Sequence, residues 1–279
     1  KAYYRFIDKP DDTAVTMPAI LQPHRERTIQ RMKAQKTVLC IQDGSDLNYS
    51  TLERCEGLGF VGTNQTGKQS KGLHLHSTFA VTSSGLPLGV LRAECTAREQ
   101  RSQEDRRPLS AIPIEEKNTF SWIQGMRDCM EIKQLMPHTS LISVMDREAD
   151  FFEIFDDQRR KSSRVDLLIR AQHNRKTMGE HKLFEEVMQS PIQSRITIKI
   201  PRQSARVKKK NQKARNKRAA RIAEVTVRYI RTELKPPPYF QEMPPISLWI
   251  IHVKEEKPPA GTKAVEWFLL TTIDIQSPS

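Results

Sequence analysis

No stretch of this 279-residue chain approaches the roughly 18 to 20 consecutive apolar positions that a membrane helix needs. The longest apolar runs, such as Leu248–Ile251 and Trp267–Leu270, are strand-sized, so an integral membrane protein is not expected. Cysteine is scarce too. Cys40, Cys55, Cys95 and Cys129 are widely spaced, with no C-x-x-C pair, and no apolar signal-peptide core opens the chain. That argues against a secreted disulfide scaffold and for free thiols in a reducing compartment. Methionine is missing from position 1, where Lys1 stands, so the expectation is a segment of a longer protein.

What the chain has in excess is positive charge, in one place. There are 46 Lys+Arg against 33 Asp+Glu, a net charge of +13. Between Arg202 and Arg221, ten of twenty residues are basic and none is acidic: Arg202, Arg206, Lys208, Lys209, Lys210, Lys213, Arg215, Lys217, Arg218 and Arg221. Such a run repels itself and lacks apolar periodicity, which marks a loop. A solvated loop tip is the plain reading. The functional one is a clamp on a polyanion, most naturally a DNA backbone, held by phosphate contacts without base readout. A membrane surface would want interleaved bulky apolar residues, and Val207 is the only bulky aliphatic here.

Hydrophobic periodicity organises the rest. Residues 1–36 read as a polar helical lead-in. The runs Thr37–Asp43, Leu73–Thr82 and Pro87–Cys95 read as three antiparallel strands, the last two joined by a hairpin turn at residues 83–86. Residues 96–113 are polar and loop-like, and Phe120, Ile123, Met126, Met130 and Ile132 recur at helical spacing within 115–135. Ser140–Asp146 and Asp166–Ala171 read as further strands, with helices over residues 151–155 and Leu183–Met188. This is an α/β layer around one sheet, spanning residues 37–190. From 191 to 264 the pattern alternates, in Arg195–Ile200 and Ala223–Ile230, and describes a β-rich insertion whose hairpin loop is the basic run at 202–221. Ile246–Val253 adds a strand between proline clusters, and 265–279 holds the final core strand, Val265–Ile275.

Asp43 and Asp146 each close an apolar strand. On neighbouring strands their carboxylates converge, and a converged pair needs a divalent cation to relieve its repulsion. Hard oxygen ligands suit Mg²⁺ or Mn²⁺, which serve phosphoryl displacement. Acids also end strands for trivial reasons, Asp46 rivals Asp43 from the turn after Gly44, and Asp274 on the last strand is a weaker candidate. His74 and His76 share one strand face and could bind metal, though packed strand histidines are the plainer reading; His76 could instead position DNA near Asp43. Arg147 and Arg170 are candidates for phosphate contacts, with ordinary ion pairs as the alternative. Glu148 and Asp150 read as a helix surface, and Trp122, Trp249 and Trp267 as core.

The words around the two aspartates carry more. Asp43-Gly44-Ser45-Asp46-Leu47-Asn48-Tyr49, then His76-Ser77, then Asp146-Arg147-Glu148-Ala149-Asp150 resemble the transposon-five-type transposases of the insertion-sequence-four group, which are D-D-E enzymes. The D-R-E-A-D word is the most specific. Residues 2–7, Glu115-Glu116-Lys117, Arg170 and Trp267–Thr271 agree in order, so the resemblance spans nearly the whole chain. It implies a ribonuclease-H-like mixed sheet flanked by helices and interrupted by a β-rich insertion. It implies cut-and-paste transposition of an insertion sequence in a bacterial cytoplasm, by Mg²⁺- or Mn²⁺-dependent cleavage and strand transfer on double-stranded transposon ends and target. Asp43 and Asp146 match the family's first and second catalytic carboxylates. The whole protein would also carry a dimerisation region, and so form a homodimer.

One departure matters. The family's third carboxylate lies in a Y-x2-R-x3-E-x6-K pattern beyond the last strand, and here no Tyr is followed by Arg three places on. The expectation is therefore a chain truncated at both ends and inactive as it stands. Its rivals are a non-catalytic DNA-binding or transposase-inhibiting remnant, and a structure-directed nuclease that cuts without joining.

Overall fold

A computed structural model describes residues 13–52, 54–63, 69–99, 104–161, 164–205 and 217–275. Ten strands form one sheet. They are β1 (Thr37–Asn48), β2 (Gly59–Thr63), β3 (Gln69–Thr82), β4 (Pro87–Thr96), β5 (Ser140–Met145), β6 (Asp166–Arg170), β7 (Ile192–Ile200), β8 (Arg221–Leu234), β9 (Ile246–Glu255) and β10 (Glu266–Thr271). Their order is β2-β3-β1-β5-β6-β10-β9-β8-β7, with β4 also paired to β3. β1, β3 and β4 are antiparallel, and β5 and β6 run parallel to β1. β10 then reverses direction, and β9, β8 and β7 continue as an antiparallel meander, so residues 192–255 extend the sheet built by the rest of the chain.

Among the described residues four helices accompany the sheet: α1 (Met17–Lys33), α2 (Phe120–Gln134), α3 (Phe152–Arg160) and α4 (Leu183–Gln189). Thr16 caps α1 by accepting from Ala19 N at 3.3 Å, and a proline suits its first turn. Ile123, Met126, Cys129 and Met130 of α2 enter one core with Val38, Cys40, Leu141, Met145, Leu167 and Ile169 of the sheet. These strand residues share one face by the period of two. α2 comes so near β1 that a side chain at Gly125 would collide with Gln42. With its amide oriented to satisfy both ends, Gln42 accepts from Ser143 Oγ (2.7 Å) and Met126 N (3.2 Å) and donates to Trp122 O (3.2 Å). A buried amide thus has partners at both its ends in tying helix to sheet. No helix among the described residues is long and apolar enough to cross a membrane.

Several elements differ from the sequence reading. β1 does not stop at Asp43; it continues through Gly44-Ser45-Asp46 to Asn48, because β3 offers a partner for every residue of that polar stretch. β2 is not legible in the sequence, being short and paired only along the start of β3. β10 ends at Thr271 rather than Ile275. The hairpin between β3 and β4 is as read, closed by Gly85 at φ +88°, a left-handed conformation suited to glycine. Residues 2–7 lie outside the described residues.

Candidate functional site

The pairing places the two aspartates. Ile41 lies beside Val144 in the parallel β1–β5 ladder, and the same register carried two residues further sets Asp43 beside Asp146. Both are exposed, on the sheet face opposite the core. β6 adds a third member. Met145 pairs with Ile169, so one more step aligns Arg170, the last residue of β6, with Asp146. Asp43, inside β1, thus falls in register with Asp146, the residue just after β5, and with Arg170, the last residue of β6. Local chemistry fixes two of them. Asp146 caps a short 3-10 turn, Arg147–Ala149, by accepting from Glu148 N at 2.7 Å, which leaves its other carboxylate oxygen to other partners. Arg170 is half-buried, and its Nε is enclosed without a hydrogen-bond partner. An unpaired buried guanidinium nitrogen is costly, and an anion would relieve it.

The face bearing these three residues is open. Ile41 is 38% and Phe79 36% exposed, and Leu39, Ile142 and Val144 are only half-buried. Trp267 lies on the same face, since Leu269 pairs with Arg170 and Trp267 is two residues away. It is 38% exposed, so it is not the core residue that the sequence suggested, whereas Trp122 is buried and Trp249 half-buried.

Other candidates fall elsewhere. His76 pairs with Gly44, one step out of phase with Asp43, and so faces the core side. It is 2% exposed, with its ring edge-on to Trp122 at 4.9 Å and both nitrogens unpartnered. Burial, helped by Arg92 and His74, lowers its pKa to about 4. A neutral imidazole buried there does not reach a phosphate, and the DNA-positioning role read for it is set aside. His74 joins no metal cluster among the described residues; its Nδ1 is 2.8 Å from Asp46 Oδ1. Asp46 is accordingly a strand residue bonded on the core side, not a turn acid competing with Asp43. Burial lowers the Arg98 pKa, opposed by the nearby carboxylates of Asp46 and Glu148, which puts a cation close to the D-R-E-A-D turn. Asp274 is misplaced as a ligand, because β10 is antiparallel to β6 and carries the chain toward the opposite end of the sheet.

Asp150 is the residue whose role sequence reasoning missed. Far from a helix-surface acid, it is 3% exposed; its Oδ2 accepts from Gln172 N (2.6 Å) and His173 N (2.9 Å), and its Oδ1 pairs with Arg175. It locks the loop after β6 against the turn after β5, and so holds Arg170 in line with Asp146. No local signal reveals this, since its partners lie over twenty residues away. Among the described residues no cluster of three or more His, Cys, Asp and Glu could hold a metal ion.

In the basic run, Lys208, Lys209, Lys210, Lys213 and Arg215 lie outside the described residues. Lys217 and Arg218 are exposed. Gln203 and Arg218 exchange backbone hydrogen bonds of 3.0 and 2.9 Å, closing the base of the loop as an extension of the β7–β8 hairpin. Traced through the pairings, β7 runs in the sense of β6, so the loop leaves the sheet from the end that carries Asp43 and Asp146.

No family model matches this chain. Among solved structures, a piggyBac transposase synaptic complex with hairpin DNA, determined by cryo-electron microscopy, aligns at TM-score 0.36 and 9% identity. The alignment covers 96% of this chain and 42% of that one, so the chain spans less than half the length of that transposase.

Proposed function

We propose that this chain is part of a DNA-processing protein of the transposase type. Its core would be ribonuclease-H-like, with Asp43 and Asp146 as two metal-ligating carboxylates. The register that aligns Asp43 of β1 with Asp146 after β5 and Arg170 at the end of β6 carries the reading. The strand order β4-β3-β1-β5-β6, three antiparallel then two parallel, supports the core assignment, and the D-R-E-A-D word supports the transposon-five-like one.

The donor set fits a hard divalent cation in kind, two carboxylates side by side and solvent-facing. Mg²⁺ or Mn²⁺ there would supply water activation and charge stabilisation at the leaving oxygen. The chain's own cations then have definite tasks. Arg170 holds a phosphate oxygen in line with the carboxylates, Arg147 takes a neighbouring phosphate, and the basic loop grips the duplex backbone beyond them. The duplex is bound by charge and shape, consistent with a run in which half the residues are cations and none is acidic.

A second reading has its own support. Because no third carboxylate joins the pair among the described residues, the chain by itself would bind DNA without cutting it. Supercoiled plasmid with Mn²⁺ separates the two. Nicking that Asp43→Asn and Asp146→Asn both abolish, with plasmid binding retained, supports the enzyme. Binding without nicking in the unaltered chain supports the passive DNA binder, and no binding at all removes both.

A further inference from the structure

Behind the D-R-E-A-D turn lies a cleft of about 890 Å³ to which the proposed site gives no role. The connection from β8 to β9, residues 235–245, folds back to form one wall; Asp150, Phe151 and the loop after β6 form the other. Three cations, Arg175, Lys176 and Lys235, face one carboxylate, Asp150, and Arg175 already neutralises that acid. Lys176 and Lys235 are held side by side by a 3.1 Å bond from Lys235 N to Lys176 O. Two exposed lysines on paired backbone positions, with no ion-pair partner among the described residues, attract anions to this wall.

The apolar part of the cleft is aromatic. Tyr239 is 49% exposed. It is set by the 3-10 turn Pro238–Phe240 and by Phe240, whose ring lies 4.8 Å from its own and 6.1 Å from that of Phe152. Prolines 236–238 stiffen the approach, so the ring is presented at little entropic cost. A second cavity of about 370 Å³ adjoins the first and shares Asp150, Phe151, His173 and Tyr239 with it. That cavity is also lined by Arg147 and Glu148, the residues directly after Asp146. Cations beside an aromatic plane, in a groove that reaches the residues next to Asp146, are what an unpaired nucleic-acid strand requires. The volume falls in the range of small-ligand sites and admits roughly one or two nucleotides. A duplex, whose major groove alone is ~12 Å wide, does not enter.

We propose that this cleft binds single-stranded DNA, with phosphates on Lys176 and Lys235 and a base stacked on Tyr239, leading an unpaired strand toward or away from Asp146. The proposal rests on the DNA-processing reading above and names a second, strand-selective subsite of it.

The test compares a short fluorescent oligodeoxythymidine with a blunt duplex, by anisotropy over a range of salt. The proteins are the unaltered chain, Lys176→Gln/Lys235→Gln and Tyr239→Leu, with circular dichroism to show that the fold is kept. The double variant should lower the salt slope for the oligonucleotide by about 1.4, the value for two single-strand phosphate contacts. Tyr239→Leu should weaken it roughly 5- to 150-fold, the range for removal of one base–aromatic stack, with the slope unchanged. Duplex binding should be the same in all three. Oligonucleotide binding untouched by both variants overturns the cleft and leaves the duplex reading standing. Equal weakening on both DNAs overturns strand selectivity, and failure of the unaltered chain to bind either DNA overturns both proposals.

Discussion

Two buried titratable residues show how far single side chains determine this structure. The Asp150 carboxylate accepts from three donors in the loop after β6, and removing it leaves Arg175 Nη1 and two backbone N–H groups without their acceptor, although Arg175 Nη2 keeps the Asp150 backbone carbonyl. Asp150→Ala should therefore cost about 3 kcal/mol in a urea unfolding titration, in the range for breaking a buried ion pair by deleting one partner. A cost under about 1 kcal/mol, no more than an exposed ion pair is worth, would mean that the loop holds its place unaided. His76 makes a pH prediction. Its folded pKa of about 4 lies below its ordinary 6.5, so between those values the unfolded chain binds more protons. Stability attributable to His76 is complete above about pH 6.5 and falls as the pH drops toward 4, by about 3 kcal/mol in all. Chemical denaturation at neutral pH and again near pH 4 should show that drop, and His76→Leu should flatten it. At this scale the sequence is informative where chemistry is local. Asp43 and Asp146 stand out because each ends or interrupts an apolar strand. Asp150 sits in the same word as Asp146 yet reads as a surface acid, because its partners are remote in sequence.

Elements are legible where apolar periodicity continues and illegible where a partner strand overrides composition. Gly44-Ser45-Asp46 has the chemistry of a turn, yet β3 pairs with each of these residues and draws β1 on to Asn48. The helix–sheet contact of α1 gives a prediction of this kind. Gly89 of β4 has φ +140°, and a side chain there would run into Thr28 Oγ1 of α1. Gly89→Ala should destabilise by about 2 kcal/mol or more, from overpacking and a strained backbone together, while Gly85→Ala in the hairpin should be felt only through its backbone. Thermal unfolding of the pair should show the larger loss at Gly89. If Gly89→Ala is neutral, α1 does not pack on β4 as described.

Across the whole molecule, one sheet joins the carboxylates to the charge. Alternation marks residues 191–264 as β-rich, but strand order is a property of pairing, and only the structure reveals β10 docked on β6 with β9, β8 and β7 following outward. The concentration of charge is legible from composition alone, since ten cations in twenty residues dominate a net charge of +13. Replacing five of those ten by Gln should reduce the log–log salt slope for duplex binding by about 4.5, at roughly 0.9 for each phosphate the chain no longer neutralises. An unchanged slope would make the run a solvated surface.

If Asp43 and Asp146 are two halves of one metal site, Mn²⁺ titration followed by electron paramagnetic resonance measures it directly. The unaltered chain should bind Mn²⁺ weakly, having two carboxylates of its own. Asp43→Asn and Asp146→Asn should each remove that binding, and Asp46→Asn should leave it intact. Binding that survives either of the first two substitutions, or that disappears with Asp46, would contradict the account.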